Sequence, residues 1–256
     1  MQKVGSGDIR STSVVTIPEV QAPSKINIEV SELEDVSEGY SFDNIPNVVF
    51  LNSEGKATIT AFPEVESFGA FQYNWLKKEA NDNTFSPVSE EFVPFVEEDS
   101  NTFEINTAGE YKVNVVNFLN GNSSAAVESA VVTASALAGR IIGAVAKYKI
   151  GNRVFTNVPS DGVQFNSAGS LSSNTVTLKI DNVSIDGQEG TLEYQWFKQV
   201  MNDDLETSWE PIDEATEAEY IVRSGDGKFL PVVKNNYNGC VYTHELNSIS
   251  VNDIAG

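Results

Sequence analysis

Tyr73-Asn74-Trp75-Leu76-Lys77 returns 121 residues later as Tyr194-Gln195-Trp196-Phe197-Lys198, and this repeated stretch decides the fold. Further matches keep offsets between 117 and 121 residues: Phe92 returns as Trp209, Gly109-Glu110-Tyr111 as Gly227-Lys228-Phe229, Asn117 as Asn235, and Asn120-Gly121 as Asn238-Gly239. A repeat of this length is two copies of one domain, because the repeats of solenoid proteins are far shorter. The sequence therefore predicts a tandem of two related domains.

Charge composition narrows the classes of partner. The 256 residues hold 37 acids against 16 bases, which gives a formal charge of -21. Such a surface repels nucleic acid and anionic lipid, since both are bound through cations. No run of about 20 apolar residues occurs, so we expect no membrane insertion. A strongly negative surface also keeps copies soluble and apart, which suits a protein displayed at high local density.

The local patterns in both halves are those of strands and turns. Residues 56–61 and 174–180 alternate polar and apolar side chains, as half-buried strands do. Asn120-Gly121 supplies the positive-φ turn of a hairpin. We find no amphipathic helix longer than about two turns. Short strands separated by turns at regular spacing indicate β-sandwiches.

These motifs resemble those of an immunoglobulin-like domain. A Trp within Tyr-x-Trp-apolar-Lys looks like the third strand of that fold, and Tyr111 after Ala108-Gly109-Glu110 looks like its tyrosine corner. The stretch from Pro211 to Tyr220 is similar to the corresponding link in bacterial and phage immunoglobulin-like modules. The resemblance covers about residues 45–135 and 165–253. It implies an all-β fold of two tandem immunoglobulin-like β-sandwiches with an extended N-terminal arm.

The chain also departs from that family in three ways. The paired core cysteines are absent, Phe229 lacks the hydroxyl of Tyr111, and Pro231 falls where Val113 falls in the first copy. A proline inside a central strand removes a ladder hydrogen bond. We therefore expect the second copy of this strand to be bulged at Pro231 or to place it at an edge. The predicted structural core residues are Trp75, Tyr111, Trp196 and Phe229.

The predicted domain organisation has four parts. Residues 1–40 form an arm or extended segment, 41–135 the first immunoglobulin-like domain, 136–164 a linker plus a base-rich hairpin, and 165–256 the second domain. Within the arm, residues 26–30 are a candidate strand that adds to a sheet edge. Small residues at 134–139 are typical of an interdomain hinge.

Five residues are candidates for partner binding. No acid occurs between Glu128 and Asp161, although four bases fall there: Arg140, Lys147, Lys149 and Arg153. One interpretation is that these bases pair with acids of the same molecule, and the other is a docking surface for an acidic partner. Trp209 is the fifth candidate, because it lies in a connection between strands where the ring is either exposed for binding or packed.

The sequence offers no catalytic, cofactor-binding or metal site. His244 is the single histidine, and no motif places a nucleophile beside it. Acidic runs at Glu97-Glu98-Asp99 and Asp203-Asp204 follow no EF-hand pattern, so calcium is a minor alternative to solvated loops. The single cysteine, Cys240, cannot close a disulfide within one chain and is expected to be buried. We expect no enzyme activity and no cofactor.

Acidic, cysteine-poor tandems of this kind resemble phage virion proteins. The resemblance implies a non-enzymatic structural or interaction protein, most specifically a capsid decoration (auxiliary) protein whose partners are capsid or other virion proteins, contacted through the arm or the base-rich segment. With no signal peptide recognised at the N-terminus, the expected localisation is the virion, assembled in the host cytoplasm. The alternatives are an adhesin that binds a host-surface glycan or receptor, a tail-associated immunoglobulin-like module, and a subunit of a bacterial surface or secretion protein.

Overall fold

The computed structural model describes residues 19–31, 33, 38–66, 69–88, 101–166, 175–222 and 227–254. Within these ranges the regular elements are β-strands, and no α-helix occurs. The first 18 residues of the predicted arm and the acidic run Glu97-Glu98-Asp99 lie outside the described residues. The same is true of Phe92.

The first sandwich consists of two facing sheets. One sheet has the order β1-β4-β7, and the other has the order β3-β11-β8-β5-β6, with β9 and β10 also pairing with β8. Its strands are β1 (Lys25–Val30), β3 (Val48–Phe50), β4 (Ala57–Glu64), β5 (Ala70–Lys78), β6 (Ser86–Pro87), β7 (Thr102–Ile105), β8 (Gly109–Leu119), β9 (Asn122–Ser123), β10 (Val127–Glu128) and β11 (Val132–Ser135).

The second sandwich repeats this plan. Its sheets have the orders β13-β12-β15-β18 and β14-β21-β19-β16-β17, and β20 pairs with β19. Its strands are β12 (Arg140–Ile150), β13 (Thr156–Asn157), β14 (Val163–Phe165), β15 (Val176–Asp186), β16 (Thr191–Met201), β17 (Thr207–Pro211), β18 (Glu219–Ile221), β19 (Gly227–Tyr237), β20 (Cys240–Glu245) and β21 (Ile249–Asp253). The chain is a tandem of two immunoglobulin-like β-sandwiches, as the repeat predicts.

Each sandwich is packed around its tryptophan. Trp75 is 2% exposed and Trp196 is 0% exposed, and each stacks on an aromatic ring of the opposite sheet, 5.4 Å away at Phe103 and 5.8 Å away at Tyr220. Phe103 also lies next to Tyr111, and Tyr220 lies next to Phe229; Tyr111 and Phe229 are the other two predicted core residues. Tyr111 donates its hydroxyl to the carbonyl of Thr107 at 2.8 Å, so the tyrosine corner is formed. Phe229, fully buried, occupies the same place without that bond.

A buried asparagine at the far end of β8 and β19 ties several segments together. Asn235 donates to the carbonyls of Gly139 and Gln188 at 2.9 and 2.8 Å, and accepts from the amide of Gly190 at 2.8 Å. Asn117 donates in the same way to the carbonyl of Gln21 at 3.0 Å. Both side chains are 0% exposed. The repeated asparagine therefore anchors the start of each sandwich to its centre.

Pro231 sits in a regular central strand, so the expectation of a bulge or edge position at Pro231 is wrong. It pairs with Trp196 across β16 and β19. The irregularity lies in the neighbouring strand, between the end of β20 and the start of β21, where Leu246 donates its amide to the carbonyl of Pro231 at 3.0 Å. Because the N–H and C=O of one strand residue point to the same side, the amide that proline lacks would face this break.

The segment assigned to the arm joins the two sandwiches. Strand β1 pairs with β4 from Lys25↔Glu64 to Val30↔Ile59, which confirms the predicted edge strand. The chain then crosses to the second sandwich, where β2 (Tyr40–Phe42) pairs with β20. It returns to the first sandwich at β3, which runs parallel to β11. Residues 25–30 and 40–42 are therefore strands of folded sheets rather than a free arm.

The predicted hinge is held by hydrogen bonds. Ala138, 1% exposed, donates its amide to the Cys240 sulfur at 3.2 Å and accepts from the Tyr40 hydroxyl at 2.9 Å. Asn238 donates to the Ser135 hydroxyl at 3.1 Å. Cys240 is fully buried at this junction, and burial raises the pKa of its thiol. Phe50 of β3 packs into the core of the second sandwich.

The prediction that residues 136–164 form a linker and a separate base-rich hairpin needs correction. A short hairpin exists, since β12 pairs with β13 at Lys147↔Asn157 and Tyr148↔Thr156. However, β12 also pairs with β15 from Arg140↔Asp186 to Ile150↔Val176 and is a full strand of the second sandwich. The sequence pattern missed this because the corresponding strand of the first sandwich, β1, lies within the predicted arm.

Candidate functional site

The bases of β12 lie on the outer surface of the second sandwich. Tyr148 pairs with the buried Leu178, so the alternate side chains Lys147 and Lys149 point away from the core. Lys179 of β15 lies directly opposite Lys147 and points the same way. We call this surface, formed by Lys147, Lys149, Lys179 and Phe155, the basic face.

Phe155 lies at the centre of the basic face. The ammonium groups of Lys149 and Lys179 stand 4.5 and 5.2 Å from the centre of its ring. Both distances are within the range of cation–π attraction, which holds two like charges near one aromatic surface. The same two ammonium groups share one carboxylate, that of Glu219, at 3.9 and 3.7 Å. Two positive charges therefore face one negative charge.

Lys147 is neutralised within the molecule. Its ammonium group donates to Asp181 at 2.7 Å, and this hydrogen bond lowers the pKa of the Asp181 carboxyl. Pairing with acids of the same molecule, the first interpretation raised from the sequence, therefore holds for Lys147. Lys149 and Lys179 share Glu219, and the charge of Lys179 also acts on Asp181, so the three lysines face two carboxylates and one positive charge is left in excess. Arg153, exposed in the turn after β12, has no ion pair with any described residue.

The first sandwich contains a balanced counterpart of this arrangement. Phe85 lies 4.6 Å from the ammonium group of Lys112 and 5.7 Å from that of Lys78. Here each lysine has its own carboxylate, Glu128 for Lys112 at 2.9 Å and Glu110 for Lys78 at 2.6 Å. The two arrangements differ in one respect: in the basic face, two lysines share a single carboxylate.

The five predicted contact residues do not form one site. Lys147, Lys149 and Arg153 lie together at one end of β12, and Arg140 begins the same strand at the other end. Arg140 borders a cavity of about 380 Å³ between the sandwiches, which Tyr40, Asn52 and Asp186 also line. Trp209 is half-buried on β17, a strand of the opposite sheet.

Sequence reasoning missed Lys179, Phe155 and Glu219 as members of the basic face. Lys179 lies outside the acid-free stretch, and Glu219 belongs to β18, so only the pairing of β15 with β12 and β18 brings them together. Strand alternation within residues 174–180 was the available signal, since it places Lys179 on the solvent side.

A groove of the second sandwich that contains the single histidine offers no catalytic arrangement. It has a volume of about 640 Å³ and is lined by residues 144–146, 158–160 and 244–249, among them His244 and Glu245. Within the described ranges, no hydrogen bond joins His244 to a serine or a carboxylate. No cluster of three His, Cys, Asp or Glu side chains suited to a metal ion occurs among the residues the structure covers. In the same residues, no helix is long and apolar enough to cross a bilayer.

Comparisons with known proteins give weak structural likenesses. A chicken CNTN1 segment with domains FN1–FN3 has 12% identity and a TM-score of 0.34, covering 92% of this chain and 68% of its own. The chicken interferon gamma receptor alpha chain has 8% identity and a TM-score of 0.32, covering 91% and 100%. A segment of two fibronectin type III domains from chicken tenascin has 11% identity and a TM-score of 0.31, covering 89% and 99%.

No protein-family model and no curated protein sequence matches this chain. TM-scores near 0.3 carry no argument about function. The assignment of the fold therefore depends on the sheets, the strand register and the two tryptophan-centred cores described above.

Proposed function

We propose that this chain is a non-enzymatic structural or interaction protein that docks through the basic face. The observation that supports this is the excess charge around Phe155, where Lys149 and Lys179 share Glu219. In a chain of formal charge -21, such a surface is the natural place to meet a negatively charged partner. The remaining surface repels that partner and thereby sets the orientation of docking.

The proposed partner is an acidic protein surface of a phage capsid. The resemblance to phage capsid decoration proteins supports this choice, as does the high negative charge that keeps neighbouring displayed copies apart. We place docking on the basic face rather than on residues 19–42, because β1 and β2 are already paired within the two sandwiches. The first sandwich is then held away from the capsid surface.

Charge reversal of the two lysines tests the proposal. The double variant K149E/K179E is compared with K78E/K112E, which reverses the same number of charges around Phe85 in the first sandwich. The assay is co-sedimentation with capsids purified from the phage that encodes the chain. We expect K149E/K179E to lose binding and K78E/K112E to retain it. Wild-type binding should also weaken as ionic strength rises, because surface charges are screened.

Equal binding by both double variants would contradict the docking role of the basic face. Absence of the wild-type chain from purified virions, measured by mass spectrometry, would overturn the assignment to the virion. The alternative of a glycan- or receptor-binding adhesin, or a tail-associated module, would instead use the half-buried Trp209 on the edge strand β17. A glycan array probed with wild type and with Trp209→Ala distinguishes this alternative.

A further inference from the structure

The junction between the sandwiches has a donor side and an acceptor side. On the donor side is the turn between β19 and β20, where Asn238 donates its side-chain amide to the Ser135 hydroxyl at 3.1 Å. The carbonyl of Gly239 in the same turn accepts from the amide of Asp43 at 2.8 Å. On the acceptor side, the end of β11 contributes Ser135, and β3 contributes the buried Phe50 beside it.

The first sandwich carries the same donor turn, and none of the described residues is docked on it. Asn120 and Gly121 have φ angles of 51° and 83°, and Asn238 and Gly239 have 52° and 85°. A Cβ placed on Gly239 would contact Ile45, whereas one on Gly121 would meet no atom within 4 Å. Asn120 is exposed, and its side chain makes no hydrogen bond to the described residues.

The second sandwich carries the same acceptor end. Ser135 pairs with Phe50 at the last position of β11, and Asp253 pairs with Phe165 at the last position of β21. Asp253 and Phe165 therefore stand where Ser135 and Phe50 stand in the first sandwich. Next to them, Ile254 is 61% exposed. Asp253 already has an interaction within the chain, but a carboxylate has more acceptor positions than the serine hydroxyl and forms a stronger hydrogen bond with an amide.

These two surfaces lie at opposite ends of the molecule. In the first sandwich, Asn120 follows one end of β8, and Ser135 lies beyond the Gly109 end. A strand of 11 residues is about 35 Å long, so the donor turn and the acceptor end of one sandwich are separated by that distance. The same relationship holds for Asn238 and Asp253 across β19. One end of the tandem thus presents Asn120, and the other presents Asp253.

We infer that two copies of this chain associate head to tail, with the Asn120-Gly121 turn of one copy docked on the Asp253, Phe165 and Ile254 end of the next. The contact repeats the hydrogen bond from Asn238 to Ser135 in the junction already formed inside the chain. It lacks β2 and the contacts of Asp43 and Ile45 with Gly239, so it is weaker than the internal junction. Because the contact joins two different surfaces, association continues into open chains unless it closes into a ring. The inference is independent of docking through the basic face.

Two variants each disrupt one of the two proposed contact surfaces, the donor turn or the acceptor end. Asn120→Asp keeps a residue that tolerates the positive φ and places a negative charge against Asp253 of the next copy. Ile254→Asp places the charge on the acceptor end. The control is Val145→Asp, the same apolar-to-acid exchange halfway along β12, where the side chain is 38% exposed. Circular dichroism in the near ultraviolet verifies that each variant is folded.

Sedimentation velocity over a range of protein concentrations measures the association. Experiments at high and low salt are both needed, because the charge of -21 opposes contact between copies and salt screens it. We expect the average mass of the wild type and of Val145→Asp to rise with concentration above the 27.8 kDa of one chain. Each end variant alone should remain monomeric, with association weakened roughly tenfold or more.

Mixing the two end variants gives the decisive result. The Asn120→Asp copy keeps a working acceptor end, and the Ile254→Asp copy keeps a working donor turn, so the mixture should form one-to-one dimers and nothing larger. A wild type that stays monomeric at every concentration and salt overturns the inference. Association of either end variant to the wild-type extent, or a mixture that remains monomeric, overturns it as well.

Discussion

Ser129 and Leu246 occupy the same place in the two sandwiches, and each is matched to the residue opposite it. The Ser129 hydroxyl accepts from the amide of Val113 at 3.0 Å, and its own amide donates to the Val113 carbonyl at 2.9 Å. In the second sandwich Leu246 keeps only the bond from its amide, at 3.0 Å, because Pro231 has no amide hydrogen to donate. At this strand break the first sandwich satisfies the backbone amide of Val113 with a serine hydroxyl. The second sandwich has no such amide, because the corresponding residue is a proline.

Loss of the Ser129 hydroxyl should destabilise the first sandwich. Ser129→Ala leaves the Val113 amide without an acceptor at a part-buried site, which costs about 1–2 kcal/mol in the free energy of unfolding. Urea unfolding measures it, and Ser123→Ala on the exposed strand β9 is the control. Ser129→Ala with the stability of Ser123→Ala would contradict the role of the hydroxyl.

The complementary change applies to the second sandwich. Pro231→Val restores an amide that faces Leu246, which has no side-chain acceptor, so this variant should lose stability. Leu246→Ser removes a buried core side chain and is destabilising by itself, but it should cost less in the Pro231→Val background, where its hydroxyl can accept from the restored amide as Ser129 does from Val113. A double-mutant cycle in urea gives the coupling energy, expected at about 1 kcal/mol. Additive effects would show that the two positions are independent.

The two buried tryptophans should dominate the stability of their own sandwiches. Trp75→Ala and Trp196→Ala should each cost about 3–5 kcal/mol, and Trp196→Ala also removes the bond from its indole nitrogen to the Glu217 carbonyl at 2.9 Å. Trp209→Ala, at a half-buried position, should cost about 1 kcal/mol or less. Thermal unfolding checks the order, and a loss for Trp209→Ala equal to that of Trp196→Ala would contradict it.

Tyr73 should make the protein sensitive to alkali. Its burial raises the pKa from 10.0 to about 12, because the folded state favours the neutral phenol. The unfolded chain loses this proton first, so stability is fully present below pH 10 and falls as pH rises towards 12. Tyr73→Phe should flatten that part of the pH profile. Parallel profiles for the variant and wild type between pH 10 and 12 would exclude Tyr73 as the cause.

Cys240 should report on the junction between the sandwiches. Its thiol is fully buried opposite Phe42 of β2, so a thiol reagent should label it slowly in the folded protein. Tyr40→Phe removes the hydrogen bond to the Ala138 carbonyl and should raise the labelling rate about fivefold. Ser41→Ala, an exposed position on the same strand, should leave the rate unchanged. Rapid labelling of the wild type would contradict a closed junction.

The sequence repeat and the alternation of polar and apolar residues predict the two sandwiches and their core residues, because these depend on local sequence pattern. Trp75, Trp196, Tyr111 and Phe229 are recognisable because the same spacing places the same side chains in each core. Strand β2 is not recognisable in this way, since three residues carry too little pattern and their partner, β20, lies some 200 residues away. The basic face was only half predicted, because Lys179 and Glu219 reach it through sheet pairing rather than through proximity in sequence.

The crossing of β2 between the sandwiches has a consequence for synthesis on the ribosome. Tyr40 leaves the ribosome about 200 residues before Tyr242, its partner in the ladder, and at 5–20 residues per second that interval is roughly 10–40 s. During this time the first sandwich can assemble from residues 19–135, while β2 waits as an unpaired edge. A nascent chain halted before Cys240 should therefore be cut by protease near residues 38–47, and the cut should disappear once the last strands emerge.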